Sequence, residues 1–522
     1  MKARQQILGT YSVKIAIALL ILFVGGFLYL RLDVSRNRAY SLTPQTRQSL
    51  RSLQDRVVVK VFASQDLSPQ LSNLNRSLRD MLTEFARLSR GKLQFEYVRA
   101  KSNEDLIEQA KQYSIQPYTV VTMENDQQVS KLVVLGLSFE SGGKTSATYL
   151  RPGMETMLEY QILKHLNQLN TANLPALSVF ADSLGLMFQY GNNPDETATF
   201  FLELMQNYNI VRTDLLKPPE FTPVMLCLGV IDSLKTEQLY NLDQYLMRGG
   251  MVVMCQDRVA VFNTPQGTGV IEIKSALYPL LEHYGIHIKP NIVLDRECEI
   301  RQGSGLGSQV PYPFFPLIRP NPRYPYTMGF ESIYLYFASE VTAMAGSKLK
   351  YEPVLQTSAR SNALDGPRYD LELAINQGLD PGFLNLPPKT VAAEFSGKIT
   401  SYYNAAPGDS NYRASNDKAR FIVFGDSELP IDFGAGTFIV LNAVDQLLGR
   451  AGMQRLRSPR ENNSFLGVDV LIQKRKLAPS DPERETSHLA LAFKLTAILL
   501  PSLLLALAGI ISLVRKNARE RS

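Results

Sequence analysis

The chain has 522 residues, a formal net charge of +6, 45% hydrophobic residues and three cysteines. Three cysteines supply no disulfide framework, so ordinary apolar cores must hold the fold, two or three of them at this length. Of the +6, the first 38 residues carry +5 and the last eight +3, leaving −2 between them, which argues against the basic folded surface of a nucleic-acid binder.

From the N-terminus, Lys14 to Leu30 is almost free of polar side chains, and its length suits a helix crossing a bilayer. No small-x-small cleavage site follows, so an uncleaved anchor over residues 1–38 is expected. A first α/β domain is predicted over residues 39–172. Arg56–Phe62 and Leu93–Val98 have strand character, with a helix from Pro69 to Ser89 between them, its leucines at steps of three and four. A second helix spans Asn103–Tyr113, with Ser102 or Asn103 as cap and Glu104 and Asp105 in the first turn. After Pro117 come strands over Thr119–Met123 and Val129–Leu137, then a helix from Glu155 to Leu169. The order βαβαββα resembles a thioredoxin-like fold, here without Cys-x-x-Cys and therefore without thiol–disulfide chemistry.

A second domain is predicted over 173–454. Strands at Ala176–Ala181, Val224–Gly229, Met251–Cys255 and Arg420–Gly425 alternate with helices at Glu196–Tyr208, Leu234–Met247 and Gly436–Leu448. That alternation, with continuously apolar strands, predicts a doubly wound parallel sheet of flavodoxin-like or amidotransferase-like type. Residues 300–345 are rich in Pro, Gly and aromatics, notably Pro311–Pro316 and Arg319–Arg323, and are expected to form an irregular insertion. A polar linker is expected over 455–488. It leads to a second uncharged, largely apolar span, Leu495–Val514, and a tail with Arg515, Lys516, Arg519 and Arg521. The basic tail sets the expected topology: a two-pass protein of the cytoplasmic membrane, both termini cytoplasmic, the body outside.

Three groups of residues invite chemistry. Ser138–Thr145, with Gly142, Gly143, Lys144 and Thr145, falls one glycine short of a phosphate-binding loop, and the following Ser146–Pro152 is β-like, so a hairpin turn is expected. Cys255 ends a strand as a nucleophile would, but none of His165, His283, His287 and His488 has an evident claim to be its base, and no nucleophile elbow surrounds it. Cys227 and Cys255 are expected to be buried and inert, and no metal or other cofactor is implied. The third group, Phe424-Gly425-Asp426-Ser427-Glu428, ends one strand near Asp257 at the end of another. Strand ends at the switch point of a parallel sheet are where such folds bind ligands, although aspartates there also cap turns. Asp257, Gly425, Asp426 and Ser427 are therefore the candidate ligand-binding residues.

Four segments in order, Asp33–Thr46, Leu239–Gly250, Phe421–Ser427 and Leu441–Gly449, resemble the GldG-type auxiliary components of ABC transporters, first known from gliding motility. The resemblance covers essentially the whole chain. It implies a non-enzymatic accessory subunit beside an ABC permease and a separate ATPase, with an extracytoplasmic body that binds substrate or envelope partners. It carries over no catalytic residues. The alternative is an envelope enzyme or carbohydrate-binding protein using the cleft near Asp257 and Asp426.

Overall fold

The computed structural model describes residues 42–124, 127–169, 174–181, 194–231, 234–264, 267–302, 309–367, 369–371, 382–404, 411–431 and 435–457. All belong to one compact unit, Leu42–Pro459. The two expected membrane spans, the linker beyond 457 and the domain boundary at 172 lie outside these residues. Among the described residues no helix is long and apolar enough to cross a membrane.

The first lobe is a four-stranded mixed sheet in the order Leu93–Tyr97, Val57–Ala63, Leu135–Ser141, Lys144–Tyr149. Its first two strands run parallel, and each later pair is antiparallel. Val57, Val59 and Val61 point into the core and meet Leu71, Leu74, Leu78, Leu82 and Phe85 of the Pro69–Leu88 helix, whose start is capped by Ser68. Ser102 caps the Asn103–Gln112 helix by accepting a bond from the Asp105 N–H at 3.2 Å.

One expectation needs correction here. Thr119–Met123 and Val129–Leu137 do not form the last pair of this sheet. They contribute to a separate hairpin, Tyr118–Glu124 with Gln127–Val133, and the sheet takes the next two strands instead. The apolar run breaks at Val134, whose N–H and C=O are both engaged by Ser64, the N–H by the side chain and the C=O by the backbone, each at 2.9 Å. The near-phosphate-loop is the turn between the sheet's last strands, with Gly142 and Gly143 at φ of 55° and 77°, conformations that suit a two-residue hairpin.

The second lobe holds a seven-stranded sheet. Its order is Lys350–Gln356, Thr390–Thr400, Ser415–Phe424, Met251–Cys255, Val224–Leu228, Ala176–Ala181, Asn209–Arg212. The last five are mutually parallel, as the continuously apolar strands suggested. The first two are antiparallel, so the sheet is mixed where a parallel one was expected. Alternate residues feed two cores. Val224, Leu226, Val253, Cys255, Ile422 and Phe424 pack with the helices Pro194–Asn207 and Ala435–Leu447. Met225, Cys227, Val252, Met254, Phe421 and Val423 pack with Thr236–Met247 and Leu277–Tyr284. Helices on both faces bury the central strand Val224–Leu228 completely.

The hairpin Val259–Thr264/Gly267–Glu272 and the strands Asn291–Asp295, Cys298–Gln302, Gln309–Ile318 and Ser361–Asp365 add a small β substructure, with its own core of Val259, Ile292, Leu294, Phe314, Phe315 and Leu384. The proline-rich insertion, expected to be irregular, contains the ten-residue strand Gln309–Ile318, paired with Cys298–Gln302 and Ile333–Tyr334. Pro311, Pro313 and Pro316 all lie within this strand, and its pairing with Cys298–Gln302 shifts register between Cys298 and Glu299.

The body's two ends meet on one helix. The short helices Pro44–Arg51 and Ala451–Arg457 both pack on Leu158–Leu169 and on each other, with Tyr160, Leu163, Met453 and Leu456 in one apolar cluster. The second of these helices runs past residue 454, where the linker was expected to begin.

Candidate functional site

The parallel strands ending at Cys255 and Phe424 are neighbours, so the residues that follow them, Asp257 and Gly425–Glu428, emerge together. Asp426 is fully buried. Its Oδ2 accepts the Tyr336 N–H at 2.7 Å, and its Oδ1 accepts the N–H groups of Glu428 and Leu429 at 2.8 and 3.0 Å. It thus caps the turn Leu429–Ile431 and ties it to the β substructure. Burial pushes the Asp426 carboxyl up to about 8, the charge of Asp257 adds to the rise, and the three N–H groups oppose it.

Ser427 donates its hydroxyl to Asp257 Oδ2 at 3.0 Å, so two of the expected residues are joined directly. The Asp257 carbonyl is held by the Tyr278 hydroxyl at 2.7 Å and the Gln256 side chain at 2.6 Å. Gly425 has a different task. The chain at Ser339 crosses over it, the Ser339 N–H bonding to its carbonyl at 2.7 Å, and a Cβ at 425 would lie 2.1 Å from the Ser339 oxygen. Only glycine permits that approach. Asp257, Asp426 and Ser427 are therefore assembled as one group, and Gly425 is the backbone crossing beneath them.

Glu428, which closes the candidate segment but was not among the four expected ligand-binding residues, completes the cluster. Its carboxyl is pushed well above the usual range by burial and by the neighbouring Asp426 and Asp257. A signal for it was present, since it stands two residues after Asp426 at the same strand end. In front of the cluster lies a cavity of about 170 Å³, lined by Asp257, Glu428, Tyr336, Phe337, Ile231 and the hairpin Val259–Thr264/Gly267–Glu272. Among the described residues no group of His, Cys, Asp or Glu is arranged to hold a metal ion.

The other candidates are accounted for by their surroundings. Cys227 and Cys255 are buried, and burial pushes their thiols up, Cys227 to about 12. His165 is buried against Phe139 and bonded to Ser146, which leaves it pulled down to about 3 by burial and Lys164. His283 and His287 reach Thr400 and Glu282, and His488 lies outside the described residues.

Acids in the remaining resemblance segments are staples. Asp243 accepts bonds from the Tyr284 hydroxyl, the Ser401 hydroxyl and the Tyr402 N–H, fixing the turn after Thr400. Asp445 accepts Arg457 at 2.6 Å and Arg450 at 3.1 Å. Thr43 caps the first helix and donates its N–H and hydroxyl to Glu159 at 2.7 and 2.8 Å.

Residues 164–434 match the family described as "ABC-type uncharacterized transport system", and residues 36–140 match a domain of unknown function. No curated protein matches the chain. Similar solved structures include the mmIFT52 N-terminal domain, at 13% identity over 52% of this chain and 96% of that chain, with a TM-score of 0.31. A ThuA-like protein from Bacteroides uniformis has 14% identity over 56% of this chain and 97% of that one, with a TM-score of 0.30. The exo-β-1,4-mannosidase Op5Man5 from an Opitutaceae bacterium has 10% identity over 59% and 40%, with a TM-score of 0.23.

Proposed function

The chain belongs to the ABC-type uncharacterized transport system family as an auxiliary component, and from that premise we propose that it is a non-enzymatic, membrane-anchored accessory subunit of the GldG type. Its partners in this reading are an ABC permease and a separate ATPase. The uncharged stretches Ile15–Leu30 and Leu495–Val514 and the basic tail support two membrane anchors with cytoplasmic ends and an extracytoplasmic body. The strand order of the first lobe, two parallel strands followed by two antiparallel additions, supports a thioredoxin-like scaffold. The parallel half of the larger sheet supports a flavodoxin-like or amidotransferase-like one.

The observation that carries this reading is the meeting of the body's two ends on the Leu158–Leu169 helix. Thr43 bonds to Glu159, and the Arg457 guanidinium lies 5.4 Å from the centre of the adjacent Tyr160 ring. Tyr160 in turn donates to Glu203, which pairs with Lys164 at 2.7 Å inside the second lobe's boundary with the first. A displacement of either anchor is thus delivered to the helix that joins the lobes, as an accessory subunit driven by a permease requires.

Gentle purification of the tagged full-length chain from its native membrane, with mass spectrometry of what accompanies it, tests the reading. A permease and an ATPase in stoichiometric amounts are expected; the chain alone, stable and monodisperse, would overturn it. A reporter placed within residues 300–310 tests the topology and should be active only outside the cytoplasm.

A second reading, an envelope enzyme or carbohydrate-binding protein, draws on the cavity in front of Asp257 and Asp426. It requires that Asp426→Ala abolish function in a chain that still folds and assembles.

A further inference from the structure

The cavity has one polar end and apolar walls. Val259, Ala260, Val261, Phe262 and Ile271 of the hairpin line it, with Ile231, Tyr336 and Phe337 opposite. Gly269 permits this shape, because a Cβ there would meet the Phe262 ring at 2.7 Å. A volume of about 170 Å³ accommodates a benzene-sized group, since an engineered apolar cavity of about 150 Å³ takes up benzene.

The polar end is acidic. Asp426, behind it, has both oxygens occupied by backbone N–H groups, and Asp257 is held by Ser427. The Glu428 carboxyl is different: it lines the cavity, is partly buried, and makes no hydrogen bond or ion pair among the described residues. Arg258, which follows Asp257, is committed to Glu282 at 3.0 Å and to the Ile288 carbonyl. No basic side chain lines the cavity among the described residues. A buried carboxyl without a partner is costly, and a ligand that brings N–H donors relieves that cost.

We propose that this cavity binds a small amphiphilic cation, an apolar ring or short chain in the hairpin pocket with a primary ammonium or amidinium group bonded to Glu428 and Asp257. The walls have too few polar partners for a sugar, and no basic side chain among the described lining residues would receive an anion. Binding of the cation releases to solvent the proton that burial otherwise keeps on Glu428. The site adds a small-molecule input to the transport assembly and does not rest on the identity of its partners.

Calorimetry of the purified full-length chain with benzylamine tests the proposal. Saturable binding is expected, weakened on the order of tenfold by Glu428→Gln, as loss of a charge-assisted bond implies. Ala260→Leu, which fills the pocket and keeps every acid, should weaken it similarly. Benzyl alcohol, of the same shape without charge, should bind on the order of tenfold more weakly. Absence of saturable binding at millimolar benzylamine, equal binding of the alcohol, or indifference to both substitutions would overturn the proposal. Copurification of transporter components is read separately, so failure here leaves the accessory reading standing.

Discussion

Arg457 Nη1 lies 2.6 Å from Asp445 Oδ2, and both side chains are fully removed from solvent. The pair joins the last described helix to the one before it. Arg457 also reaches Asn207 at 2.9 Å and Asn442 at 3.2 Å, so its charge is surrounded by acceptors. Replacing it with methionine leaves Asp445 buried with only Arg450. A loss of about 3 kcal/mol in unfolding free energy is expected by denaturant titration. Adding Asp445→Leu should restore much of that loss, because the unpaired charge goes with it. A double variant no more stable than the single one would show that packing, and not charge, dominates.

Gly425→Ala places a methyl group where the Ser339 carbonyl lies. Backbone must move, and a destabilisation of about 3 kcal/mol is expected. Ser427→Ala, two residues on, removes one hydrogen bond to Asp257 and should cost only about 1 kcal/mol. Comparing the two midpoints separates the backbone crossing from the polar cluster above it.

Asp426→Ala strips the acceptor from three backbone N–H groups. The cost should be about 3 kcal/mol, well beyond that of an ordinary turn residue. If the variant folds, copurification with transporter components is expected to persist. Complete loss of transport with unchanged stability and assembly would favour the ligand-binding or enzymatic reading.

Stability should fall as pH rises through the range from about 4.5 to 8. The folded-state carboxyls of Asp426 and Glu428 are raised above their unfolded values, so between the two values the folded chain holds protons that the unfolded chain has lost. Their contribution is complete below the unfolded values and fades as pH climbs through the folded ones. Glu428→Gln should flatten this slope, because a neutral amide takes the place of the proton-holding acid. Unfolding free energies at pH 5 and pH 8 check it; a parallel slope in the variant would refute the assignment.

Much of the framework was legible in the sequence because it rests on local chemistry. The Ser102 cap, the leucine spacing of Pro69–Leu88 and the apolar strands at Val224 and Met251 each announce themselves within a few residues. What stayed hidden depends on distant partners. Val134 ends a strand only because Ser64, seventy residues earlier, takes its backbone groups. Thr390–Thr400 is antiparallel because of where the chain returns, which its composition does not encode. Pro311, Pro313 and Pro316 disguised a strand that pairs despite them. The neighbourhood of Asp257, Asp426 and Ser427 could be read from the rule about strand ends. The close approach of Ser339 to Gly425 could not, because nothing near Gly425 in sequence mentions Ser339.

The helices at Pro44–Arg51 and Ala451–Arg457 touch closely enough that a Cβ on Gly452 would lie 2.5 Å from the Gln45 side chain. The polypeptide therefore enters and leaves the body through a single doorway. The two helices clasp each other as well as the Leu158–Leu169 helix beneath them, so the first and last described elements constrain one another and the body closes on itself.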